Sequence, residues 1–224
     1  QVTKMFDNIA GSYDFLNHTL SLGMDNIWRK TAIKKLSINT SKILDIATGT
    51  ADFAISAAKY TNANITGIDI SQGMLDIGVE KISKKGLTDR IQLQLADSEK
   101  LPFKENSYEG ITAGFGVRNF ENLNKGLSEM HRTLKLGGVV AILEPSEPTY
   151  FPLKQFYKLY FHHILPFIGG IISKDKNAYS YLPDSVSAFP SGNDFLIELD
   201  KVGFKESKHI PLTFGIVSLY VAIK

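Results

Sequence analysis

The stretch ILDIATGTAD, residues 43–52, decides the fold of this 224-residue chain. Its first five residues are a short, mostly apolar run that predicts a buried strand. The residues that follow, with Gly49 between Thr48 and Thr50, predict a small-residue loop that leads into a helix. Ligands of doubly wound sheets bind at the carboxyl ends of strands, where small side chains let a ligand approach the backbone. The spacing is not GxGxxG, so the loop alone is equally consistent with an ordinary strand-to-helix turn.

The alternation of strands and helices around this loop predicts an α/β chain with a mostly parallel sheet covered on both faces. Predicted helices cover 53–60, 123–134 and 194–202, and a further helix runs to residue 84 with Ser71 as its predicted N-cap. Predicted strands cover 43–47, 64–70, 91–95, 108–113, 139–143, 204–210 and 213–223. Because the link between the last two strands is short, we expect an antiparallel hairpin. The predicted fold class is therefore a Rossmann-like, doubly wound, seven-stranded sheet with an antiparallel terminal hairpin.

The pattern predicts one domain, residues 1–224, in four parts. Residues 1–37 are helical with breaks and are expected to form an N-terminal lid. Residues 42–144 form the ligand-binding core, and 145–192 form an aromatic-rich insertion. Residues 193–224 hold the terminal helix and hairpin.

Composition excludes several classes of function. The net charge of +2 and the scattered Lys and Arg residues argue against nucleic acid as a partner. Without cysteine the chain has no disulfide frame and no thiolate nucleophile, which fits a reducing cytoplasm. The five histidines lack metal-ligand spacing, so no metal is expected. The first residues lack a signal-peptide core, and no apolar stretch reaches the ~20 residues of a spanning helix.

A carboxylate follows the second predicted strand. GIDIS, residues 67–71, places Asp69 about 20 residues after the loop, where a carboxylate can accept two ribose hydroxyl hydrogen bonds. Ile70 follows it directly, at the same ligand-facing edge. The alternative is that Asp69 only caps the helix that begins near Ser71. Together with the loop, Asp69 predicts a nucleoside ligand without separating NAD from S-adenosylmethionine.

The segment LADSEKLPF, residues 95–103, favours S-adenosylmethionine. Asp97 is placed to bind the exocyclic amine of an adenine, and Ser98 offers a backbone N–H. An acidic residue followed by Leu-Pro-Phe is typical of methyltransferases and less so of dehydrogenases. The alternative is a capping aspartate in a solvent-exposed loop.

Three outer motifs resemble the quinone-biosynthesis C-methyltransferase family. YDFLNHTLSLGMDNIWRK, residues 13–30, is similar to the family's N-terminal signature. GFGVRN, residues 114–119, is similar to its active-site strand end. RTLKLGGVV, residues 132–140, is similar to its second signature, with Leu136 where proline is usual. The family includes demethylmenaquinone methyltransferase and polyprenyl-benzoquinol methylase.

The resemblance implies S-adenosylmethionine as cofactor and a class I methyltransferase fold. It places Thr50, Asp69, Asp97 and Ser98 on the family's cofactor-binding positions. Family loops of the ATGTGD kind have a second glycine where this chain has Ala51. We expect the alanine to be tolerated if the helix begins there.

C-methylation needs an electron-rich ring carbon, which a quinol provides once a hydroxyl loses its proton. Arg118 is the candidate to stabilise the phenolate, since guanidinium stays protonated and cannot readily act as a base. Asn119 is expected to complete the hydrogen bonds, and the resemblance implies a similar role for this Arg–Asn pair. Tyr13, in the predicted lid, either reaches the methionyl group or the quinol, or packs against Trp28. On charge complementarity alone, Asp45 is expected to meet the methionine ammonium directly or through water.

The expected acceptor is a polyprenyl quinol, with demethylmenaquinol favoured over a benzoquinol. The aromatic-rich residues 151–172 predict peripheral contact with the inner face of a membrane or a channel for the tail. The alternative is a helix that only covers the sheet, or a homodimer contact. No organelle presequence is expected, which favours a bacterial protein. The alternatives are a methyltransferase for another small molecule, a nicotinamide-dependent oxidoreductase, and a non-catalytic quinone-binding scaffold.

Overall fold

The computed structural model describes residues 7, 21, 23–37, 39–159 and 177–224. Within them the chain forms one seven-stranded sheet of order β3-β2-β1-β4-β5-β7-β6. The strands are β1 (Lys42–Ile46), β2 (Asn64–Asp69), β3 (Ile91–Leu95), β4 (Tyr108–Gly114), β5 (Leu134–Pro145), β6 (Lys205–Leu212) and β7 (Val217–Ile223). The pairs from β3 to β5 are parallel, whereas β7 runs antiparallel to both β5 and β6. The predicted fold class, including the terminal hairpin, is confirmed.

Helices lie between most successive strands. They are α1 (Asp25–Ile33), α2 (Asp52–Tyr60), α3 (Gln72–Lys84), α4 (Leu123–Thr133), α5 (Leu153–Leu159), α6 (Asn177–Ala188) and α7 (Asn193–Lys201), with 3-10 turns at Val117–Asn119 and Thr213–Gly215. The central helices match the sequence prediction to within one residue at most ends. Helices α5 and α6 fall in the insertion, where no separate helices were predicted.

The sheet has an apolar layer on each face because neighbouring strand residues point to opposite sides. Ile43 lies in a cluster with Trp28 and the alanines of α2, while Leu44 lies in the opposite cluster with Leu127 of α4. These apolar side chains are fully or almost fully buried. Burial of each of the larger aliphatic side chains, Ile43, Leu44 and Leu127, contributes about 1.5–3 kcal/mol to folding. Two-sided burial explains why β1 is a nearly continuous apolar run.

Two helix starts show how local sequence shapes the site. Ser71 caps α3 as predicted, since its Oγ accepts a hydrogen bond from the Met74 N–H at 3.2 Å. Tolerance of Ala51 is expected only if the helix begins there, and the structure does not meet that condition. Helix α2 begins one residue later, at Asp52, and Ala51 is left-handed at φ 69°. An L-residue in that conformation is disfavoured by roughly 1–2 kcal/mol, which a glycine would avoid.

The last strand is shorter than predicted. Its first residues instead form a left-handed turn, with φ of 46° at Thr213, 58° at Phe214 and 88° at Gly215. The apolar pattern of this stretch predicts a strand. In the structure these residues form the turn that reverses the chain between β6 and β7. Trp28 fixes the turn, because its Nε1 donates to Thr213 Oγ1 at 2.7 Å.

Much of the predicted lid and insertion lies outside the described residues, including Tyr13 and 160–176. The part of the N-terminal region that is described, α1, packs against α2 in the core. Trp28 packs edge-on against Phe115 with ring centroids 6.1 Å apart. No helix in the described part of the chain combines the length and apolar character that crossing a membrane requires.

The Tyr220 hydroxyl joins the terminal hairpin to the start of α7. It accepts the Gly192 N–H at 2.9 Å, and its ring packs on Phe195. We expect Tyr220→Phe to lower the free energy of unfolding by about 1–3 kcal/mol, because the Gly192 N–H loses its acceptor. Urea unfolding measures this change. Tyr60→Phe, at an exposed tyrosine, is the control and should stay within about 0.5 kcal/mol. Equal effects of the two changes would contradict the assignment.

Candidate active site

Left-handed residues cluster at the carboxyl ends of β1 and β4. Ala47, Gly49 and Ala51 have φ of 51°, 55° and 69°, and Phe115, directly after β4, has φ of 62°. Three of these four residues carry a Cβ and are therefore strained. Such strain persists where the surrounding structure enforces it, typically at ligand sites. The backbone thus marks the edge of the sheet that the sequence predicted to bind a ligand.

The two turns touch each other. Strands β1 and β4 are parallel neighbours, so the loop after β1 lies beside the turn after β4. A Cβ placed on Gly116 would lie 2.4 Å from the Cβ of Ala47, so only glycine fits there. The predicted cofactor loop and the predicted catalytic motif are therefore brought together by direct packing.

Asp45 ties these two strands together from below. Its side chain is 1% exposed, and it accepts hydrogen bonds from Thr48 Oγ1 at 2.5 Å and from Thr112 Oγ1 at 2.6 Å. Burial raises the pKa of this carboxyl to about 6, against the opposing effect of the two threonine hydrogen bonds. Both carboxylate oxygens are engaged inside the protein. This geometry favours the water-mediated route to an ammonium over direct contact.

The threonines of the loop point inward. Thr48 Oγ1 is used by Asp45, and Thr50 Oγ1 accepts from Lys81 Nζ at 3.1 Å. Lys81 also pairs with Asp52 at the start of α2. Both threonine side chains are buried, so they shape the loop, and what they offer a ligand is their backbone. Gly49 leaves that backbone open, because a Cβ there would meet nothing within 4 Å among the described residues.

Asp69 lies at the rim of the candidate site, as the last residue of β2. Its Oδ2 accepts from the Gly49 N–H at 2.8 Å and its Oδ1 from the Ser71 N–H at 2.9 Å. The carboxylate therefore links the loop after β1 to the turn after β2. Burial raises its pKa above the ordinary value. The capping alternative fails, because Ser71 and not Asp69 caps α3.

A residue that the sequence did not single out, Asp7, reaches the same turn. Its Oδ1 accepts from Ser71 Oγ at 2.5 Å and from the Gly73 N–H at 3.3 Å. The nearby negative charge of Asp7 contributes to the raised pKa of Asp69. No local sequence pattern pairs two residues that lie this far apart in the chain.

The third predicted element lies next to this rim. Ile70 is exposed and offers an apolar surface beside Asp69. Asp97 is exposed after β3, and its Oδ1 accepts from the Glu99 N–H at 2.8 Å, so it also stabilises its own turn. Ser98 is buried. An adenosyl group can be bound by a carboxylate that accepts from the ribose, an apolar surface against the adenine and an acidic turn at the adenine edge. Asp69, Ile70 and Asp97 with Ser98 fit these three roles.

Arg118 lies at this edge, in the 3-10 turn after β4, and its surroundings differ from the expectation. The Arg118 side chain is 7% exposed and that of Glu144 is 0% exposed, and Nη1 lies 2.9 Å from Glu144 Oε2. Nη1 also donates to the Phe115 carbonyl, and Nε donates to Ser185 Oγ at 3.3 Å. Arg118 is therefore one half of a buried ion pair. Asn119 sits beside it in the 3-10 turn.

A cavity of about 440 Å³ opens beside Arg118. Its walls are the 3-10 turn after β4 on one side and the end of α6 on the other. The lining is mostly apolar, with Val117, Phe120 and Phe189 among its residues. The turn that bears the predicted catalytic pair therefore also borders a space large enough for part of a ligand.

Sequence reasoning missed Glu144. The available signal was that Glu144 stands near the end of the otherwise apolar strand VVAILEP, residues 139–145. Asp45 has the same position in the apolar strand ILDI, residues 43–46. A charged residue in a buried strand must be paired or hydrogen-bonded. Its partner Arg118 was visible only in three dimensions.

Comparison with known proteins identifies the family. The ubiE/COQ5 methyltransferase family model matches residues 1–224. The demethylmenaquinone methyltransferase of Bacteroides fragilis is 48% identical, over all of this chain and 92% of its own length. The ubiquinone/menaquinone biosynthesis C-methyltransferase UbiE of Geotalea daltonii is 45% identical, over all of this chain and 96% of its own length.

Solved structures agree in fold. A putative S-adenosylmethionine-dependent methyltransferase of Methanococcus maripaludis superposes with a TM-score of 0.69 at 20% identity, covering 96% of this chain and 91% of that one. The [4+2]-cyclase SpnF superposes with a TM-score of 0.70 at 16% identity, covering 100% and 96%. These likenesses show the fold alone. The full-length match to the family model and to relatives of 45–48% identity shows that the chain belongs to the ubiE/COQ5 methyltransferase family.

Proposed function

We propose that this protein methylates a ring carbon of demethylmenaquinol, using S-adenosylmethionine, as the last step of menaquinone formation. The observation that carries the proposal is the packing of Gly116 on Ala47, which sets the Arg118 turn against the cofactor loop. A methyl donor and an acceptor must meet at one such point. The names of the full-length relatives support a quinol as the acceptor.

The cofactor residues divide the ligand between them. Asp69 takes the ribose hydroxyls, because a carboxylate at the end of the second strand can accept two hydrogen bonds. Ile70 supports one face of the adenine, and Asp97 with the Ser98 N–H binds its edge. Gly49 lets the methionyl part approach the loop backbone. Asp45 lies beneath the loop, where its charge attracts the ammonium through water.

S-adenosylmethionine supplies an electrophilic methyl group when bound. Methyl transfer forms one carbon–carbon bond, breaks one carbon–sulfur bond and releases one proton from the ring carbon. The ring carbon becomes nucleophilic when the quinol hydroxyl ionises, and a free phenol has a pKa of about 10. The residues of the chain must therefore stabilise the phenolate, exclude water and orient the ring.

Arg118 stabilises the phenolate as a hydrogen-bond donor. Because Glu144 already compensates most of its charge, its contribution comes from an aimed N–H and not from an isolated cation. Asn119 is proposed to add a second donor in the same turn. Tyr13, which lies outside the described residues, stays a candidate contact of the methionyl group or the quinol. The proposal also assigns a role to each part of the chain. Residues 42–144 are proposed to hold the cofactor, residues 1–37 to act as a lid over it, and the aromatic-rich insertion of 145–192 to meet the substrate or the membrane.

The surface that meets the membrane is proposed to include three aromatic residues. Phe151 and Phe214 are 82% and 78% exposed, and Tyr150 is exposed beside Phe151. Their segments are neighbours, since the Ser146 N–H donates to the Ile216 carbonyl at 2.9 Å. Exposed aromatic side chains next to a cation such as Lys154 suit a membrane interface, where a polyprenyl quinol is held.

The first test is the transfer of labelled methyl to short-tailed demethylmenaquinol and to the matching methoxy-benzoquinol under reducing conditions. We expect label on the naphthoquinol. Label on both would mean that the chain serves two quinols, as the name of the Geotalea relative implies for that protein. Asp69→Ala should lose binding of S-adenosylhomocysteine because the ribose carboxylate is gone. Asp76→Ala, on the outer face of α3, is the matched control.

Two results would contradict the proposal. Absence of label on either quinol while S-adenosylhomocysteine still binds would leave another small-molecule acceptor or a quinone-binding scaffold. A rise in melting temperature with NADH and none with S-adenosylhomocysteine would indicate an oxidoreductase.

The buried Asp45 gives stability a defined pH dependence. Its pKa is raised from an ordinary 3.8 to about 6, so the folded state holds the proton more tightly than the unfolded state. Relative to Asp45→Asn, the natural chain should lose about 2–3 kcal/mol of unfolding free energy as the pH rises from ~4 to ~7. Urea unfolding of both proteins across this range measures the difference. A constant difference would show that Asp45 is not buried as described.

The proposed membrane surface is tested by sedimentation with anionic vesicles. Phe151→Ser with Phe214→Ser should reduce the bound fraction several-fold, because the apolar contact area is lost. Methyl transfer to a short-tailed quinol in the absence of vesicles should be unchanged. Tyr60→Ser, at an exposed tyrosine at the end of α2, is the control. Unchanged vesicle binding together with a smaller particle in light scattering would assign the surface to a homodimer instead.

A further inference from the structure

We infer that Glu144 is a positioning residue for the methylation, which holds the Arg118 guanidinium so that its remaining nitrogen, Nη2, faces the cavity between the 3-10 turn and α6. The inference rests on the proposed function and assigns the quinol ring to that cavity. Glu144 does not touch the substrate, because it is fully buried on β5.

A single carboxylate fixes both the backbone and the side chain of the turn. Glu144 Oε1 accepts from the Val117 N–H at 2.7 Å and from the Arg118 N–H at 3.3 Å. Its Oε2 accepts from Arg118 Nη1 at 2.9 Å. The first two bonds set where the turn begins, and the third sets the direction of the guanidinium. Charge-assisted bonds of this kind are about twice as strong as neutral ones.

The other contacts of Arg118 complete the orientation. Nη1 is shared with the Phe115 carbonyl, and Nε donates to Ser185 Oγ of α6. Among the described residues, the hydrogen bonds of the guanidinium therefore run through Nε and Nη1. Since Arg118 and Ser185 both line the cavity, Nη2 is the donor left for a ligand there. A planar guanidinium held at two of its nitrogens has little freedom to turn.

The burial of Glu144 argues that its role is geometric. Ile142 and Leu143, just before it on β5, are apolar and fully buried. An apolar side chain at this position would satisfy packing, and replacing a buried ion pair by apolar residues is often neutral or stabilising. Burial raises the pKa of Glu144, while Arg118 opposes that rise. We therefore explain the buried charge of Glu144 by its hydrogen bonds to the Arg118 turn and guanidinium.

The cavity also limits what can bind. Glu121 and Asp184 are exposed and acidic at its lining, whereas Val117, Leu123 and Phe189 provide apolar wall. An anionic acceptor would be repelled by the two carboxylates, while a neutral aromatic ring would not. The hydroxyl of such a ring can accept from Nη2 and ionise there.

The charge of Arg118 also affects one further titratable group, Tyr157. Tyr157 of α5 is buried, and its pKa is raised by burial and by the charge of Glu147, while Arg118 opposes the rise. Its hydroxyl therefore stays neutral in the working range. The ionisable groups at the lining of the cavity are Arg118, Glu121 and Asp184, with Glu144 paired to Arg118 and Tyr157 within reach of the Arg118 charge.

The test uses Glu144→Gln, which keeps the shape but turns an amide NH₂ toward Arg118 Nη1. Two donors would then face each other, and the guanidinium should move away. We expect kcat to fall on the order of 100-fold, the effect of a misplacement of ~1 Å. Binding of S-adenosylhomocysteine should be unchanged. The acid limb of the kcat–pH profile, which reports ionisation of the bound quinol, should move to higher pH because the phenolate is less stabilised.

A double-mutant cycle shows whether Glu144 acts through Arg118. In an Arg118→Met background, Glu144→Gln should cause no further loss of kcat. Glu129→Gln is the matched control, since Glu129 also accepts a backbone N–H, from Leu101, and pairs with an arginine, Arg132. It lies on α4 away from the cavity and should leave the pH profile in place. If Glu144→Gln does not fold, Glu144→Asp enters the same cycle.

The inference is overturned if Glu144→Gln leaves the acid limb unmoved or shifts it to lower pH. The second result would mean that Glu144 only neutralises an arginine that works better alone. It is also overturned if the loss of kcat is as large in the Arg118→Met background, since the role would then be structural. These outcomes require an active natural chain, so they differ from failure of the proposed function, in which the natural chain gives no methylated quinol.

Discussion

The arrangement of the site depends on two buried carboxylates that flank β4. Asp45 on β1 binds Thr112 of β4 and Thr48 of the cofactor loop. Glu144 on β5 binds the turn that follows β4. Since β4 lies between β1 and β5 in the sheet, its end is held from both sides. One carboxylate organises the loop proposed for the cofactor and the other the turn proposed for catalysis.

The backbone beside the two carboxylates adopts conformations that are strained for residues with a Cβ. Ala47, Ala51 and Phe115 are left-handed although each has a Cβ. Burial of the apolar layers on both faces of the sheet offsets the free-energy cost of these strained conformations. The turns at the carboxyl edge carry the candidate site residues, and the rigid strands hold those turns in place. This arrangement suits catalysis, because a rigid scaffold keeps hydrogen-bond donors correctly oriented.

The fold by itself does not specify the chemistry. The [4+2]-cyclase SpnF and the methyltransferase of Methanococcus maripaludis share this architecture with TM-scores of 0.70 and 0.69. What differs between such proteins must lie in the turns at the carboxyl edge of the sheet and in the elements that cover it. In this chain those turns hold a glycine packed on the cofactor loop and an arginine paired with Glu144. Full-length relatives at 45–48% identity share a family with it, and not only a fold.

The sequence by itself determined the sheet, the terminal hairpin, the cap at Ser71 and the places of Asp69, Asp97 and Arg118. These features depend on local pattern, because strand and helix periodicity and turn chemistry act over a few residues. Only the tertiary structure decided that Thr50 bonds to Lys81, that Asp7 joins the Asp69 turn and that Arg118 is paired with Glu144. Those contacts join residues far apart in the chain, and their partners are selected by packing and by the need to satisfy buried charge.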